Sequence, residues 1–142
     1  ARAPAGRRDP LRVLDDRVTA RRAVFQAYLE AFKDIKDILW MPEPSWSYST
    51  HWLTACTISP TVGVSSSELI RCLAGELIEA RPLWKPMHAQ PVFGRYRYFP
   101  DRDGSVSDRL FEQGICLPSG SNMLEGQIQR IVSVIRKAIV KA

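Results

Sequence analysis

The chain has 142 residues, 45% of them hydrophobic and 25% charged, and carries a net charge of +5. That length suits one domain with a real core, the balance excludes disorder, and no apolar run approaches the ~20 residues of a membrane-spanning helix. The cations are scattered rather than gathered into an arm or a lysine-rich helix face. They read as a solvated surface with a few arginines facing an anionic ligand, not as a nucleic-acid interface.

Residues 1–10 hold two prolines, a glycine and three arginines and read as a lead-in; no apolar stretch follows that would make a signal peptide. From residue 11 on, Leu11, Leu14, Val18, Phe25, Tyr28, Leu29 and Phe32 recur at helical spacing, with Asp15, Arg17, Arg21 and Arg22 on the polar side. This predicts a long amphipathic helix ending near Lys36, ahead of the breakers Pro42 and Pro44. His51–Ile58 (HWLTACTI) is rich in strand formers and closes at Ser59-Pro60. Ser65 and Glu68 form a capping box, and the helix it opens carries Leu69, Ile70, Leu73 and Leu77 on one face.

A short strand is expected at Leu77–Ala80, leading into EARPLWKPMHAQPVF. Gly94–Gly104 reads as a loop bearing Tyr96, Tyr98 and Phe99, with a turn over Asp101, Arg102, Asp103 and Gly104. A helix over Ser107–Gln113 is expected to end on Gly114 as a left-handed cap. ICLPSGS predicts a buried strand and a turn. Asn122 and Glu125 are the expected caps of the last helix, which lines up Leu124, Ile128, Ile131, Val132, Ile135 and Ile139 and places Lys137 and Lys141 where the helix dipole favours cations. The order predicts an α+β fold: a small antiparallel or mixed sheet covered by helices.

The three cysteines, Cys56, Cys72 and Cys116, lack paired spacing and read as buried reduced thiols of a cytoplasmic protein. The two histidines, His51 and His88, cluster with no cysteine, so no metal site is expected. Cys56 near His51 reads as a small buried residue rather than a nucleophile. No glycine-rich phosphate loop is present. Ser119-Gly120-Ser121 precedes a helix amino terminus, where backbone amides hold anions, though capping explains those serines equally well.

The unusual stretch is Arg81–Pro91. It sets two cations, Trp84, His88 and Gln90 on a backbone stiffened by three prolines. Arginine and lysine bind phosphate and tryptophan offers a stacking face; the alternative is a surface loop whose Trp84 and Met87 pack on the core.

EARPLWKPMHAQPVF (Glu79–Phe93) resembles a block of the DegT-type sugar aminotransferases, especially those acting on 4-keto sugars of UDP. Three more stretches agree in order and spacing: RVLDDRVTARRAVFQAY with the long helix opening their small domain, MPEPSWSYSTHWLTACTI with its first strand, and LFEQGICLPSGSNMLEGQIQRIVSVIRKAI with its closing helix, strand and helix. The resemblance covers the chain from about Arg8 onward.

It implies a carboxyl-terminal small domain of a type I aminotransferase fold over residues 11–142, its large cofactor-binding domain absent. The parent enzyme would use pyridoxal phosphate to transfer an amino group, from glutamate, to the keto sugar of a nucleotide sugar in polysaccharide biosynthesis, at the interface of a homodimer. The family's Schiff-base lysine belongs to an upstream motif. Lys33, Lys36, Lys85, Lys137 and Lys141 all lack that context. No catalytic residue and no bound cofactor are therefore expected in this chain, which alone should be inactive. His88, Arg81, Trp84, Lys85 and Gln90 are the expected substrate-binding residues, and His51 is given no role. With Ala1 in place of an initiator methionine, the chain is expected to be a fragment or truncated product. The alternative is a standalone non-catalytic module that binds a nucleotide sugar or a partner subunit. In either case the chain is expected to expose an apolar patch and to self-associate.

Overall fold

A computed structural model describes residues 9–102 and 104–140. The expected lead-in up to residue 8, Asp103 of the predicted turn and Lys141 lie outside the described residues.

The first helical run is split. One turn, α1 (Asp9–Arg12), precedes α2 (Leu14–Ala31), which ends five residues before Lys36 and is followed by β1 (Ile38–Trp40), a strand the sequence did not announce. Only the second half of α2 is buried, through Val24, Phe25 and Tyr28. Leu11 and Leu14, expected on the inner face, are largely exposed because the sheet and its partner helices do not reach that far.

Next come β2 (Thr54–Ile58), α3 (Ser66–Gly75), β3 (Arg81–Pro82), α4 (Val106–Gln113), β4 (Gly114–Leu117) and α5 (Glu125–Val140). The four strands form one antiparallel sheet in the order β1-β2-β4-β3. Register puts Ile38 beside Ile58, Cys56 beside Ile115 and Thr54 beside Leu117. Since side chains alternate across a strand, these residues share one face, where they join Tyr28, Phe32, Leu69, Leu73, Ile128, Ile131 and Ile135 in the core. Helices α2, α3 and α5 cover that face, giving the expected small sheet layered with helices.

Three local expectations are corrected. Leu77 does not begin a strand: its amide bonds to Ala74 O (3.0 Å) and that of Ile78 to Leu73 O (2.9 Å), which is the Schellman termination of α3. Leu77 occupies the left-handed position at φ 57°, with its side chain 93% exposed, and strand pairing starts only at Arg81.

Gly114 is not a left-handed cap. Its backbone is extended (φ −85°, ψ 142°) and opens β4; a Cβ there would run into the Leu110 carbonyl and the Leu83 side chain, so close approach is what requires glycine. At the start of α5 the cap is not Asn122: Gln127 Oε1 accepts from the Leu124 amide at 2.9 Å.

The Ser65–Glu68 capping box forms as read, with Ser65 N donating to Glu68 Oε2 at 2.8 Å. Cys56 and Cys116 are buried, whereas Cys72 is exposed on the outer side of α3. Burial pushes the Cys56 thiol up to about 12 and raises Cys116 as well, which keeps both protonated.

A non-glycine residue in the left-handed region costs about 1–2 kcal/mol, part of which glycine returns as unfolded-state entropy. Leu77→Gly should therefore stabilise the chain by roughly 0.5–1 kcal/mol. Urea unfolding checks this, and a lower midpoint would contradict the strain assigned to Leu77.

Candidate functional site

The face of the sheet opposite the core is met by α4, whose Leu110 turns toward it. Leu39, Thr57, Ala55 and Cys116 point to that side by register. Together with Trp52, Leu53, Leu83, Trp84 and Leu110, most of these line an apolar groove of about 470 Å³. The indoles of Trp52 and Trp84 stand 6.1 Å apart at its edge, and both are mostly exposed. This is the expected apolar patch.

The proline-rich loop borders that groove. His88 sits on a single helical turn (Met87–Ala89) and is fixed from two sides. Its Nε2 lies 2.8 Å from Asp108 Oδ1, and its ring stacks on Tyr98 with centroids 3.6 Å apart and planes 11° apart. The Tyr98 hydroxyl donates to Ser105 Oγ at 2.9 Å, and the same Ser105 oxygen caps α4 by accepting from the Asp108 amide at 3.1 Å. Hydrogen bonding from Ser105, then from His88, holds the Asp108 carboxyl below the ordinary carboxylate range. The segments Arg81–Phe93 and Gly94–Gly104 are therefore one unit, pinned at the start of α4.

The expected site residues divide. His88, Trp84 and Lys85 keep polar or aromatic surface toward solvent, and Lys85 makes no ion pair among the described residues. Arg81 is tied to Glu79 through Nε (2.8 Å) and a second guanidinium nitrogen. The Gln90 amide turns back on its own loop and donates to Lys85 O at 3.3 Å.

A second constellation escaped the sequence. Arg22 grips Glu43 in a two-pronged pair (2.7 and 3.0 Å) and lies 4.4 Å above the Tyr48 ring. Glu43 Oε1 also accepts from the Ser49 amide at 2.7 Å. His51, only 1% exposed and at φ 45°, stacks on Phe25 with centroids 3.8 Å apart. Its Nε2 is 3.5 Å from Glu43 Oε2, and neither ring nitrogen has a hydrogen-bond partner among the described residues. The groups come from α2 and from a loop twenty to thirty residues away, a distance no local spacing rule spans. The cluster ties the Met41–Thr50 loop to the middle of α2, leaving Trp46 85% exposed.

The described residues do not fit a pyridoxal phosphate site. The cofactor needs a lysine in a closed pocket, a carboxylate facing its ring nitrogen and a phosphate cradle. Lys33 is ion-paired to Glu30 on the surface, and Lys36, Lys85 and Lys137 are exposed. Among the described residues no three His, Cys, Asp or Glu side chains converge as a metal site, and no helix is long and apolar enough to cross a membrane.

The fold is thus a sheet layered with helices on one face, with an apolar groove bordered by the proline-rich loop on the other. The profile of the DegT/DnrJ/EryC1/StrS aminotransferase family matches residues 5–136, and the chain belongs to that family. EpsN of Bacillus subtilis strain 168, provisionally named a pyridoxal phosphate-dependent aminotransferase, is 44% identical over 126 residues, covering 88% of this chain and 32% of EpsN. The GDP-perosamine synthase of Caulobacter vibrioides is 21% identical over 128 residues, covering 89% of this chain and 34% of the synthase. Among solved structures, DesI with its TDP-sugar product superposes with a TM-score of 0.81 at 19% identity, over 91% of this chain and 33% of DesI, a likeness of fold. The chain thus spans about a third of the length of the relatives it matches.

The Arg22 guanidinium, and after it the Ser49 amide, lower the Glu43 carboxyl from 4.5 to about 2. A depressed carboxyl contributes stability above its unfolded-state value and loses it as pH falls through the folded value. The chain should therefore lose stability as pH falls from 4.5 to about 2, and Glu43→Gln should flatten that part of the profile, as read by thermal unfolding against pH.

Proposed function

We propose that this chain is the carboxyl-terminal small domain, over residues 11–142, of a pyridoxal phosphate-dependent aminotransferase that moves an amino group from glutamate to the keto sugar of a nucleotide sugar. The observation that carries the reading is a family match over residues 5–136 in a chain whose described lysines form no cofactor pocket. The cofactor and the reacting lysine then belong to the remaining two-thirds of the enzyme, and the chain alone is inactive. The named products of the relatives, GDP-perosamine and a TDP-sugar, support a nucleotide-sugar substrate. A UDP-4-keto sugar of polysaccharide biosynthesis is the particular choice the Glu79–Phe93 block favours. The free, unbridged thiols of Cys56, Cys72 and Cys116 accord with a cytoplasmic enzyme.

The residues of this chain then act on the substrate side. His88, held by Asp108 and Tyr98, presents its remaining ring nitrogen to the substrate, while Lys85 and Trp84 offer a cation and a flat apolar surface beside it. Arg81 and Gln90 join this wall in the assembled enzyme, Arg81 by exchanging Glu79 for an anionic ligand. The apolar groove takes the large domain and the homodimer partner.

The test is a chimera in which this chain replaces the matching third of EpsN. The chimera should bind the cofactor, giving the visible absorbance of its lysine-bound form, and should dimerise, while the chain alone should show no such absorbance. A folded chimera that binds no cofactor would sink the reading, and so would cofactor bound covalently by the chain alone.

A further inference from the structure

The side chains of His88 and Asp108 meet through Nε2 and Oδ1 at 2.8 Å. Which of those two atoms carries the proton decides what the other ring nitrogen, Nδ1, can do. Asp108 does not supply it. The residue stands in the first turn of α4, where the helix dipole favours negative charge. Hydrogen bonding from Ser105, then from His88, holds its carboxyl below the ordinary value, so at neutral pH it is ionised and only accepts. Nε2 is therefore the donor. A neutral imidazole has one proton to give, so a protonated Nε2 leaves Nδ1 as an acceptor.

The ring is held in that orientation. Tyr98 stacks on it with planes 11° apart, and the Tyr98 hydroxyl is tied to Ser105, whose Oγ also accepts from the Asp108 amide. A half-turn of the imidazole would place Cε1 against the carboxylate and lose the bond. Nδ1 has no hydrogen-bond partner among the described residues, and the buried unpartnered atoms are those of His51 and Thr54 instead. Nδ1 thus belongs to the solvent-reached part of a side chain that is 21% exposed.

We propose that Asp108 is a positioning residue that keeps the proton of neutral His88 on Nε2 and so makes Nδ1 a hydrogen-bond acceptor. The group that meets His88 is then a donor, a hydroxyl or an N–H. A phosphate or carboxylate oxygen needs a donor itself and would face the Asp108 charge behind the ring, so it is refused there. This rests on the substrate-side reading of His88 above and adds to it the chemistry of the group received: a hydroxyl, with the anionic part of the substrate held elsewhere.

The chain has two histidines, so its imidazole spectrum holds two ring systems, and His88→Gln identifies one of them. Two-dimensional 15N–1H spectra of the chain at about pH 9, where an ordinary imidazole is neutral, should show His88 with Nε2 protonated and Nδ1 bare. Asp108→Ala should abolish the slowly exchanging Nε2–H signal and release the ring to a mixture of both tautomers. Tyr98→Leu removes the stacking face but keeps the carboxylate, and should leave the proton on Nε2; general loosening of the loop would not give that contrast. Sulfate, which has no proton to donate, should leave the Nδ1 resonance unmoved. The backbone of Asp108, not its side chain, makes the cap bond to Ser105, so Asp108→Ala should keep the fold, as circular dichroism checks. Asp108→Asn, which keeps the shape without the charge, serves as a second variant and should speed exchange of the Nε2 proton.

A proton on Nδ1, or on both nitrogens, at that pH overturns the assignment. So does an Nε2–H signal that survives both Asp108 variants unchanged, or an Nδ1 resonance that moves with sulfate. These readouts involve neither cofactor nor nucleotide, so their failure leaves the aminotransferase reading standing. A folded chimera that binds no cofactor sinks that reading and leaves the tautomer of His88 as measured.

Discussion

The α2 helix is the post to which the loops of this domain are tied. The Tyr28 hydroxyl, buried against the core, donates to Pro118 O at 3.1 Å, and Arg21 reaches Ser119 O at 3.1 Å and Trp52 O at 2.5 Å. The Ser119 hydroxyl donates to the same Trp52 carbonyl at 3.0 Å, so the loop before β2 and the loop after β4 meet on one helix face. At the next residue, Arg22 holds Glu43 and with it the loop after β1. These bonds constrain where the strands enter and leave the sheet.

That arrangement separates the two faces of the sheet. The covered face is packed with aliphatic and aromatic side chains and needs no partner. The open face keeps Leu39, Leu53, Leu83 and Leu110 beside a groove, with Trp52 and Trp84 among its lining residues. On the small-domain reading proposed above, this face is the one that meets the rest of the enzyme.

Strain is concentrated at loop junctions. His51 and Leu77 are the two non-glycine residues with positive φ among the described residues. Leu77 is explained by the Schellman geometry that turns α3 back toward β3, where the chain must reverse within a few residues. His51 turns the chain into β2 while its ring fills the space between Phe25 and Glu43.

Much was legible in the residues themselves. The capping box at Ser65, the helical stripe of α5, the buried strand in ICLPSGS and the family of the Glu79–Phe93 block are local patterns, and local backbone and burial preferences act within a few residues. Tertiary structure decided whatever depends on which distant segment comes close. Three residues were enough for β1 only because β2 lay beside them to pair with Ile38–Trp40. Gly114 had to lack a side chain because Leu83 crosses over it, not because its backbone is left-handed. The Asp108 partner of His88 lies twenty positions away, and the Arg22–Glu43–His51 cluster joins a helix to a loop. Periodicity reports which face of an element is apolar; only packing reports what that face, or a charge at its edge, will meet.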